Sequence, residues 1–363
     1  MKKVLLAMSG GLDSSVCGML LKEQGFDVYG VTYRTFDSIP ESSTSELTDC
    51  HTDNSIMEAK HLSEKLGISH TVVDFREEFK QTIIKDFVTE YLTGNTPNPC
   101  VICNSTIKWG QLLKIADKLG CDKIATGHYA QIKNENGRYY LSAGVDKTKD
   151  QTYFLWKLTQ EALSRTMFPI GNYKKSEIRE IAEKKGFVSL SQKPESQEIC
   201  FIPDDNYRRF LTEMAPEKIT NIGPGDFILA NGKVVGKHQG YPFYTIGQRK
   251  GLNVALGEPY YVTDIDATTN TITLGKREEL EVASAIVTDI NLMKYTTIPP
   301  EGLNVTVKIR YRNTPENATI FYRDEYAEIV FKKPVTALTP GQSAVFYEGN
   351  DVVGGGIITK AKA

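Results

Sequence analysis

The chain of 363 residues lacks several features that would assign it to a class at once. No apolar run approaches the ~20 residues that a membrane-spanning helix needs. The start, Met1-Lys2-Lys3 followed by Val4 to Met8, has too short an apolar core for a signal peptide, so a cytoplasmic protein with no membrane partner is expected. There is no charge excess: the formal net charge is −2, with 25 basic against 26 acidic side chains over residues 1–203 and 18 against 19 over 204–363. Bulk charge therefore does not mark a nucleic-acid binder, and any RNA site has to be a local patch. Repeats and low-complexity segments are missing. No Gly-x-x-x-x-Gly-Lys-Ser/Thr occurs, so no lysine is set on a terminal phosphate. The stretch Gly354-Gly355-Gly356-Ile357-Ile358-Thr359-Lys360 has the wrong spacing and reads as a β-turn near a strand end. Cys-x-x-Cys occurs once, at Cys100 and Cys103, so a two-pair zinc site has no second half.

Against those absences stands Ala7-Met8-Ser9-Gly10-Gly11-Leu12-Asp13-Ser14-Ser15, between an apolar strand (Val4 to Met8) and a helical pattern (Val16, Met19, Leu20). Strand, glycine-rich turn and helix is a phosphate-holding geometry. Glycines let backbone approach the anion, and the N–H groups of the helix start face it with the dipole in their favour. Ser and Asp at the turn are expected to cap the helix. The string resembles the pyrophosphatase (PP) loop of enzymes that split ATP into AMP and pyrophosphate.

The first half alternates strands (Val28 to Tyr33, Thr71 to Asp74, Lys123 to Thr126) with helices (Asn54 to Leu66, Phe75 to Tyr91, Ile107 to Leu119, Lys174 to Lys185). That order predicts βαβ units and a parallel sheet, with ligands beyond the strands' carboxyl ends. Asn136-Gly137 marks a hairpin. After about Pro203 the pattern changes to one helix (Asp204 to Met214) and then period-two strands. These are Phe227 to Val235 around Asn231-Gly232, Tyr260 to Ile265, Thr271 to Leu274, Val305 to Tyr311, Thr319 to Tyr322, Glu328 to Phe331 and Ala344 to Tyr347. The fold class is thus α/β, a parallel-sheet domain that carries the PP-loop-like turn, followed by an all-β tail of two small barrel-like units.

Thr96-Pro97-Asn98-Pro99-Cys100-Val101-Ile102-Cys103-Asn104 reads as an exposed, stiffened loop before a helix near Ile107. A cysteine just before a helix start has reason to be a thiolate. A further cysteine, Cys200, lies at the seam between the α/β and β parts. Cys17 and Cys121 read as buried and inert, and Cys50-His51 as a free pair or a ligand pair. For Cys100 and Cys103 the loop composition and position do not match a thioredoxin-like redox pair; a further reading is an iron–sulfur cluster held by Cys100, Cys103 and Cys200 with one open iron site.

Taken together, these motifs resemble the tRNA-specific 2-thiouridylases, which make 2-thiouridine at the anticodon wobble position. Further matches are Ala125-Thr126-Gly127-His128-Tyr129-Ala130, Lys149-Asp150-Gln151, Glu198-Ile199-Cys200-Phe201-Ile202, Arg310-Tyr311-Arg312 and Pro340-Gly341-Gln342. The resemblance implies three parts, a PP-loop domain (1–204), a small central β-rich domain (205–280) and a C-terminal β-barrel (281–363) that contacts tRNA. The first, adenine nucleotide α-hydrolase-like, would bind ATP, taken with Mg²⁺, through Ala7, Met8, Ser9, Gly10, Gly11, Leu12, Asp13 and Ser14. Tyr33, where Met is frequent, would pack on adenine, and Gly127 would contact the nucleotide. It also implies that Asn98, Pro99 and Cys100 flank the target base, and that His128, Lys149, Asp150, Gln151, Arg310, Tyr311 and Gln342 touch tRNA. Cys200 would carry a persulfide and Cys103 would break its S–S bond, with their Cα atoms within about 7 Å at that step. No metal ligand set is implied. A cysteine desulfurase or sulfur-relay protein would supply sulfur, and Lys, Glu and Gln tRNAs would accept it. Trp109 stands where Phe is usual, Cys100 is Asp in some relatives, and the loop Asp37 to Asp53 departs from the usual acidic form.

Lys308, Arg310, Arg312 and Arg323 fall on adjacent expected strands as a local basic face, with Arg208-Arg209 and Arg249-Lys250 as further candidates. An unstacked wobble uridine suits single-stranded recognition. Two other readings remain: a PP-loop pyrophosphatase with a different acceptor, which has no need of Cys103 and Cys200, and a non-catalytic RNA-binding iron–sulfur protein.

Overall fold

A computed structural model describes residues 2–36, 53–192, 199–323 and 325–362. Cys50, His51, the loop 37–52 and Glu198 lie outside the described residues. The chain forms two compact units. The first joins Met1–Ile83, Cys100–Asp205 and Asn350–Val352; the second joins Ile84–Pro99, Asn206–Gly349 and Val353–Ala363.

The first unit is built on parallel strands: β1 (Lys3–Ala7), β2 (Asp27–Arg34), β3 (Ser69–Asp74) and β4 (Lys123–Ala125). The hairpin β5 (Ala130–Glu135) and β6 (Arg138–Ala143) follows, then the two-residue β7 (Thr166–Met167), too short to leave a sequence signal. Val4, Leu5 and Leu6 are fully buried, as a strand covered on both faces requires. The order is β3-β2-β1-β4-β7. Beyond β1 the sheet grows in opposite directions, so the β1/β4 boundary is a switch point with a crevice at the strands' carboxyl ends. Helix α1 (Leu12–Glu23) leaves from that boundary and buries Val16, Cys17, Met19 and Leu21. Asn136 (φ 51°) and Gly137 (φ 79°) make the expected hairpin turn.

The second unit holds two β structures. One is a four-stranded sheet of β8 (Gly225–Leu229), β9 (Val234–His238), β10 (Tyr261–Asp266) and β11 (Thr271–Gly275), in the order β10-β11-β8-β9. The other comprises β12 (Glu281–Leu292), β13 (Leu303–Lys308), β14 (Glu316–Arg323), β15 (Tyr326–Thr336), β16 (Ser343–Glu348) and β17 (Asp351–Lys362). These run β12-β15-β14-β13-β16-β17, and pairing of β12 with β17 closes the barrel. Val287, Val307, Ala318, Ile320, Ile329, Phe346 and Ile358 fill it, the inward half of the period-two pattern.

Three expectations are corrected. The helix expected from Ile107 begins at Pro99, placing Cys100 and Cys103 in its first turns. Pro99 takes the first helical position, where a missing N–H costs nothing, and Pro97 and Pro99 are buried rather than exposed. The helix expected over Phe75 to Tyr91 is present, with α-helical ends, Arg76–Phe79 and Lys85–Leu92, joined by a π-helical turn at Lys80–Ile84. Gly354-Gly355-Gly356 is not a turn but part of β17, where a Cβ on Gly354 would come within 2.3 Å of the Asn291 carbonyl oxygen. Bare backbone is what lets β12 and β17 pass this closely at a shift in their register.

His238 is 2% exposed, with its ring against Phe227 and Tyr244, and its Nδ1 accepts the Gly240 N–H (3.1 Å). Burial lowers its pKa. The unfolded chain therefore takes up the proton first as pH falls through about 6.5, and each such histidine removes at most about 1.4 kcal/mol of stability per pH unit. The urea midpoint should be lower at pH 5.5 than at 7.5. His238→Gln, which cannot be protonated, should narrow that gap; an unchanged gap would exclude His238 as a source.

Candidate active site

At the switch point the loop after β1 turns on Gly10, whose φ of +71° favours glycine. A Cβ there would also lie 2.3 Å from the Ser55 carbonyl oxygen. The loop's hydroxyls tie it to itself. Ser9 N–H donates to Ser14 Oγ (3.1 Å), Ser9 and Ser14 hydroxyls lie 3.2 Å apart, and Ser15 Oγ–H donates to the Gly11 carbonyl (2.7 Å). Gly11 is the N-cap and no side chain caps it, contrary to the expectation for Ser and Asp. First-turn N–H groups of a helix have no intrahelical acceptor, so those of α1 are free to meet an anion. Gly127, just past β4, faces this turn: a Cβ on it would sit 2.8 Å from the Ser14 nitrogen and 3.0 Å from the Asp13 carbonyl carbon. The two strand ends thus meet through glycine, leaving backbone rather than side chain at the crevice.

Asp13 is held elsewhere. Lys175 Nζ donates to both of its carboxylate oxygens (2.7 and 2.8 Å) and Tyr129 O–H to one of them (2.8 Å). The Lys175 ammonium also lies 5.6 Å from the centre of the Tyr129 ring. Sequence alone does not mark Lys175 and Tyr129 as site residues. Lys175 reads as the start of an ordinary helix, and nothing local couples positions 162 residues apart. Its side chain is 12% exposed and that of Asp13 32%, so Lys175→Met leaves a poorly solvated carboxylate at the loop. The expected result is a loss of about 1–3 kcal/mol in urea unfolding together with a raised KM for ATP, largely restored in Lys175→Arg. A normal KM in Lys175→Met would sink this role.

Toward β2 and β3 the site is aromatic. Tyr33, at the end of β2, is 7% exposed; its ring meets Phe75 edge-on and its O–H donates to the Lys108 carbonyl (3.3 Å). Burial pushes its phenol pKa up, and the nearby Cys103 adds to this. Cys103 is half-buried where the helix changes to a π-helical turn over Asn104–Lys108, an irregularity frequent at functional sites. Asn104 Nδ2 donates to the Phe154 carbonyl (3.0 Å), which anchors that turn. Cys200 is also half-buried, and its neighbour Phe201 packs edge-on against Phe79, which in turn lies 6.0 Å from Phe36. Both cysteines therefore flank aromatic contacts at the carboxyl ends of β2 and β3. Cys17 and Cys121 are buried as expected, and burial raises the pKa of each.

Most residues expected at RNA make internal contacts. The His128 ring packs against Trp109 and Phe168, with Nδ1 2.9 Å from Thr126 Oγ1; burial, then Lys108, holds its pKa well below the usual value. Gln151 Oε1 accepts the Tyr129 N–H (3.0 Å), and Asp150 accepts the Thr152 N–H and hydroxyl. Lys149 is half-buried. In the second unit Arg310 Nη2 bonds to the carbonyls of Ile246 (3.0 Å) and Ala337 (2.9 Å), and Lys308 lies over the Tyr311 ring. Gln342 is engaged with the Thr96–Pro97 backbone. Asn98 is half-buried between Pro97 and Pro99. Among the described residues no group of three or more His, Cys, Asp or Glu is placed to hold a metal ion. Cys100, Cys103 and Cys200 are not such a group. No described helix is long and apolar enough to cross a membrane.

Residues 2–204 match the family described as tRNA methyl transferase HUP domain, 208–276 the tRNA methyl transferase PRC-barrel domain, and 283–358 the aminomethyltransferase β-barrel domain. Fold and cradle define a protein with a nucleotide-binding HUP domain and two β-barrel-type domains. A tRNA-specific 2-thiouridylase of Amoebophilus asiaticus is 48% identical over 98% of this chain and 95% of its own length. One of Cytophaga hutchinsonii is 47% identical over 98% and 97%. Among solved structures, a 4-thiouridine synthetase–RNA complex with bound ATP aligns with 60% of this chain and 52% of its own at 15% identity and TM-score 0.36. The chain belongs to the tRNA-specific 2-thiouridylase family.

Proposed function

We propose that this chain is a tRNA-uridine 2-sulfurtransferase that uses ATP to replace the C2 oxygen of the wobble uridine by sulfur. The observation that carries the reading is the shared location of two kinds of chemistry. The glycine-lined cradle and two half-buried thiols, Cys103 and Cys200, all belong to the first unit; Cys103 lies near Tyr33 at the end of β2, and Phe201, next to Cys200, packs against Phe79.

A C2 carbonyl is a poor electrophile and its oxygen a poor leaving group. Attack of that oxygen on the α-phosphorus of ATP forms the C2–O–AMP adduct and releases pyrophosphate. The N–H groups of the α1 start meet the charge developing on the phosphates. ATP enters as its magnesium complex. Cys200 then acts as a persulfide loaded by a desulfurase or relay protein. Its terminal sulfur attacks C2 and AMP departs with the former carbonyl oxygen. Cys103 thiolate attacks the Cys200 sulfur, freeing 2-thiouridine and leaving a Cys103–Cys200 disulfide, which an external dithiol reduces. In the alternative order Cys103 first frees hydrosulfide, which then attacks C2. Asn98, Pro99 and Cys100 flank the base, with Lys, Glu and Gln tRNAs as the acceptors.

The test is protein with ATP, Mg²⁺, a sulfide source and unmodified tRNA, followed by nucleoside mass analysis. A gain of about 16 Da, sulfur for oxygen, at the wobble uridine supports the reading. A gain elsewhere, or pyrophosphate release with a non-RNA acceptor, removes it.

A further inference from the structure

Gln151 holds the backbone of Tyr129 at two points. Its side-chain Oε1 accepts the Tyr129 N–H (3.0 Å), and its own N–H donates to the Tyr129 carbonyl (3.1 Å). Only the oxygen of a side-chain amide can accept a backbone N–H, so this contact fixes which way the Gln151 amide faces. Its Nε2, with two N–H groups, has no acceptor among the described residues. Tyr129 is 3% exposed and belongs to the same buried cluster as Leu12, Val16 and Ile170. Its surroundings leave little room to shift. A Cβ on Gly144 would lie 3.3 Å from the Tyr129 carbonyl carbon, and one on Gly171 would lie 1.9 Å from the Ala130 carbonyl oxygen. At its far end the Tyr129 hydroxyl donates to the carboxylate of Asp13 (2.8 Å), in the first turn of α1.

A buried tyrosine held at its backbone delivers its hydroxyl to one place. The Gln151 oxygen therefore helps to set where Asp13 stands beside the phosphate cradle. The nitrogen of the same planar amide is left for the tRNA contact that the resemblance assigns to Gln151. We propose that Gln151 serves both substrates: through Oε1 and Tyr129 it is a positioning residue for the ATP step, and through Nε2 it donates to tRNA. The inference rests on the functional reading above and adds a residue to its ATP half.

Gln151→Glu keeps the oxygen and loses the N–H donors, whereas Gln151→Met keeps the length and loses both. The probe is α,β-methylene-ATP with Mg²⁺, bound without tRNA. Its Kd should rise about fivefold in Gln151→Met, the loss of one hydrogen bond, and stay within about twofold of wild type in Gln151→Glu. Lys175 still holds Asp13 in both, so the cradle loosens without being released. The tRNA Kd should rise about tenfold in both. Tyr129→Phe, which deletes the hydroxyl and spares the backbone contacts, should weaken the nucleotide by about fivefold and leave tRNA Kd within about twofold. It decides the matter if Gln151→Met misfolds. Hydrogen exchange over residues 127–131, without either ligand, should accelerate in Gln151→Met and remain near wild type in Gln151→Glu. Normal nucleotide affinity in Gln151→Met or in Tyr129→Phe overturns the inference. So does Gln151→Glu as weak for nucleotide as Gln151→Met. A wild-type protein that binds no nucleotide would instead strike the functional reading, and the exchange rates would still decide whether Gln151 holds Tyr129.

Discussion

Cys200→Ser should lower 2-thiouridine formation by about 10³-fold or more while still releasing one equivalent of pyrophosphate per bound tRNA. The separation follows from geometry. In the proposed scheme adenylation draws on the loop Ser9–Ser15 and on Gly127, where a Cβ would press against Ser14, whereas sulfur delivery draws on Cys200, whose neighbour Phe201 packs against Phe79. Serine keeps the size and loses the ability to carry sulfur. Cys103→Ser should fail at a later stage. With the resolving thiolate gone, the uridine stays linked through sulfur to Cys200, giving a protein–tRNA adduct on a denaturing gel that dithiothreitol releases as thiolated tRNA. Full 2-thiouridine formation by the double variant would end the two-thiol scheme.

The second large effect is expected at Gly127. Its Cα faces the first turn of α1, and any Cβ would enter to 2.8 Å from the Ser14 nitrogen, a backbone atom that cannot swing aside. Gly127→Ala must therefore push the helix start away from β4. A displacement of about 1 Å at a reacting centre costs on the order of 10²-fold in rate. We expect ATP turnover to fall by about that factor, and Gly127→Val to abolish it. Gly137 is the control. It lies in the β5–β6 turn with φ +79°, and a methyl added there would meet no atom within 4 Å. Gly137→Ala should cost stability of about 1 kcal/mol through backbone strain and leave ATP turnover unchanged. Equal loss in the two variants would mean that Gly127 matters to folding alone.

Much of the fold was legible because it is periodic or punctuated. Val4 to Met8 announced a doubly covered strand, Asn136-Gly137 a hairpin, and the alternation through Val305 and Thr319 the barrel strands. The cradle was legible too, because its glycines do their work within a few residues. What escaped was long-range or two residues long. β7 is a single pair of residues that exists only by hydrogen bonding to β4. The grip of Lys175 and Tyr129 on Asp13 joins segments that share no local pattern, so Asp13 read as a cap. Proline misled at positions 97 and 99, suggesting exposure where Pro99 opens a helix and both rings are buried. The resemblance named Gln342 and Arg310 for RNA, and their internal carbonyl acceptors become visible only in three dimensions.

The central claim is that AMP leaves carrying the uridine's own oxygen. Unmodified tRNA with ¹⁸O at C2 of the wobble uridine, incubated with ATP and a sulfur source, tests it in one mass spectrum of the nucleotide product. AMP bearing one ¹⁸O, in step with the thiouridine formed, is the expected result. AMP that instead acquires its new oxygen from solvent water would contradict adenylation of the base.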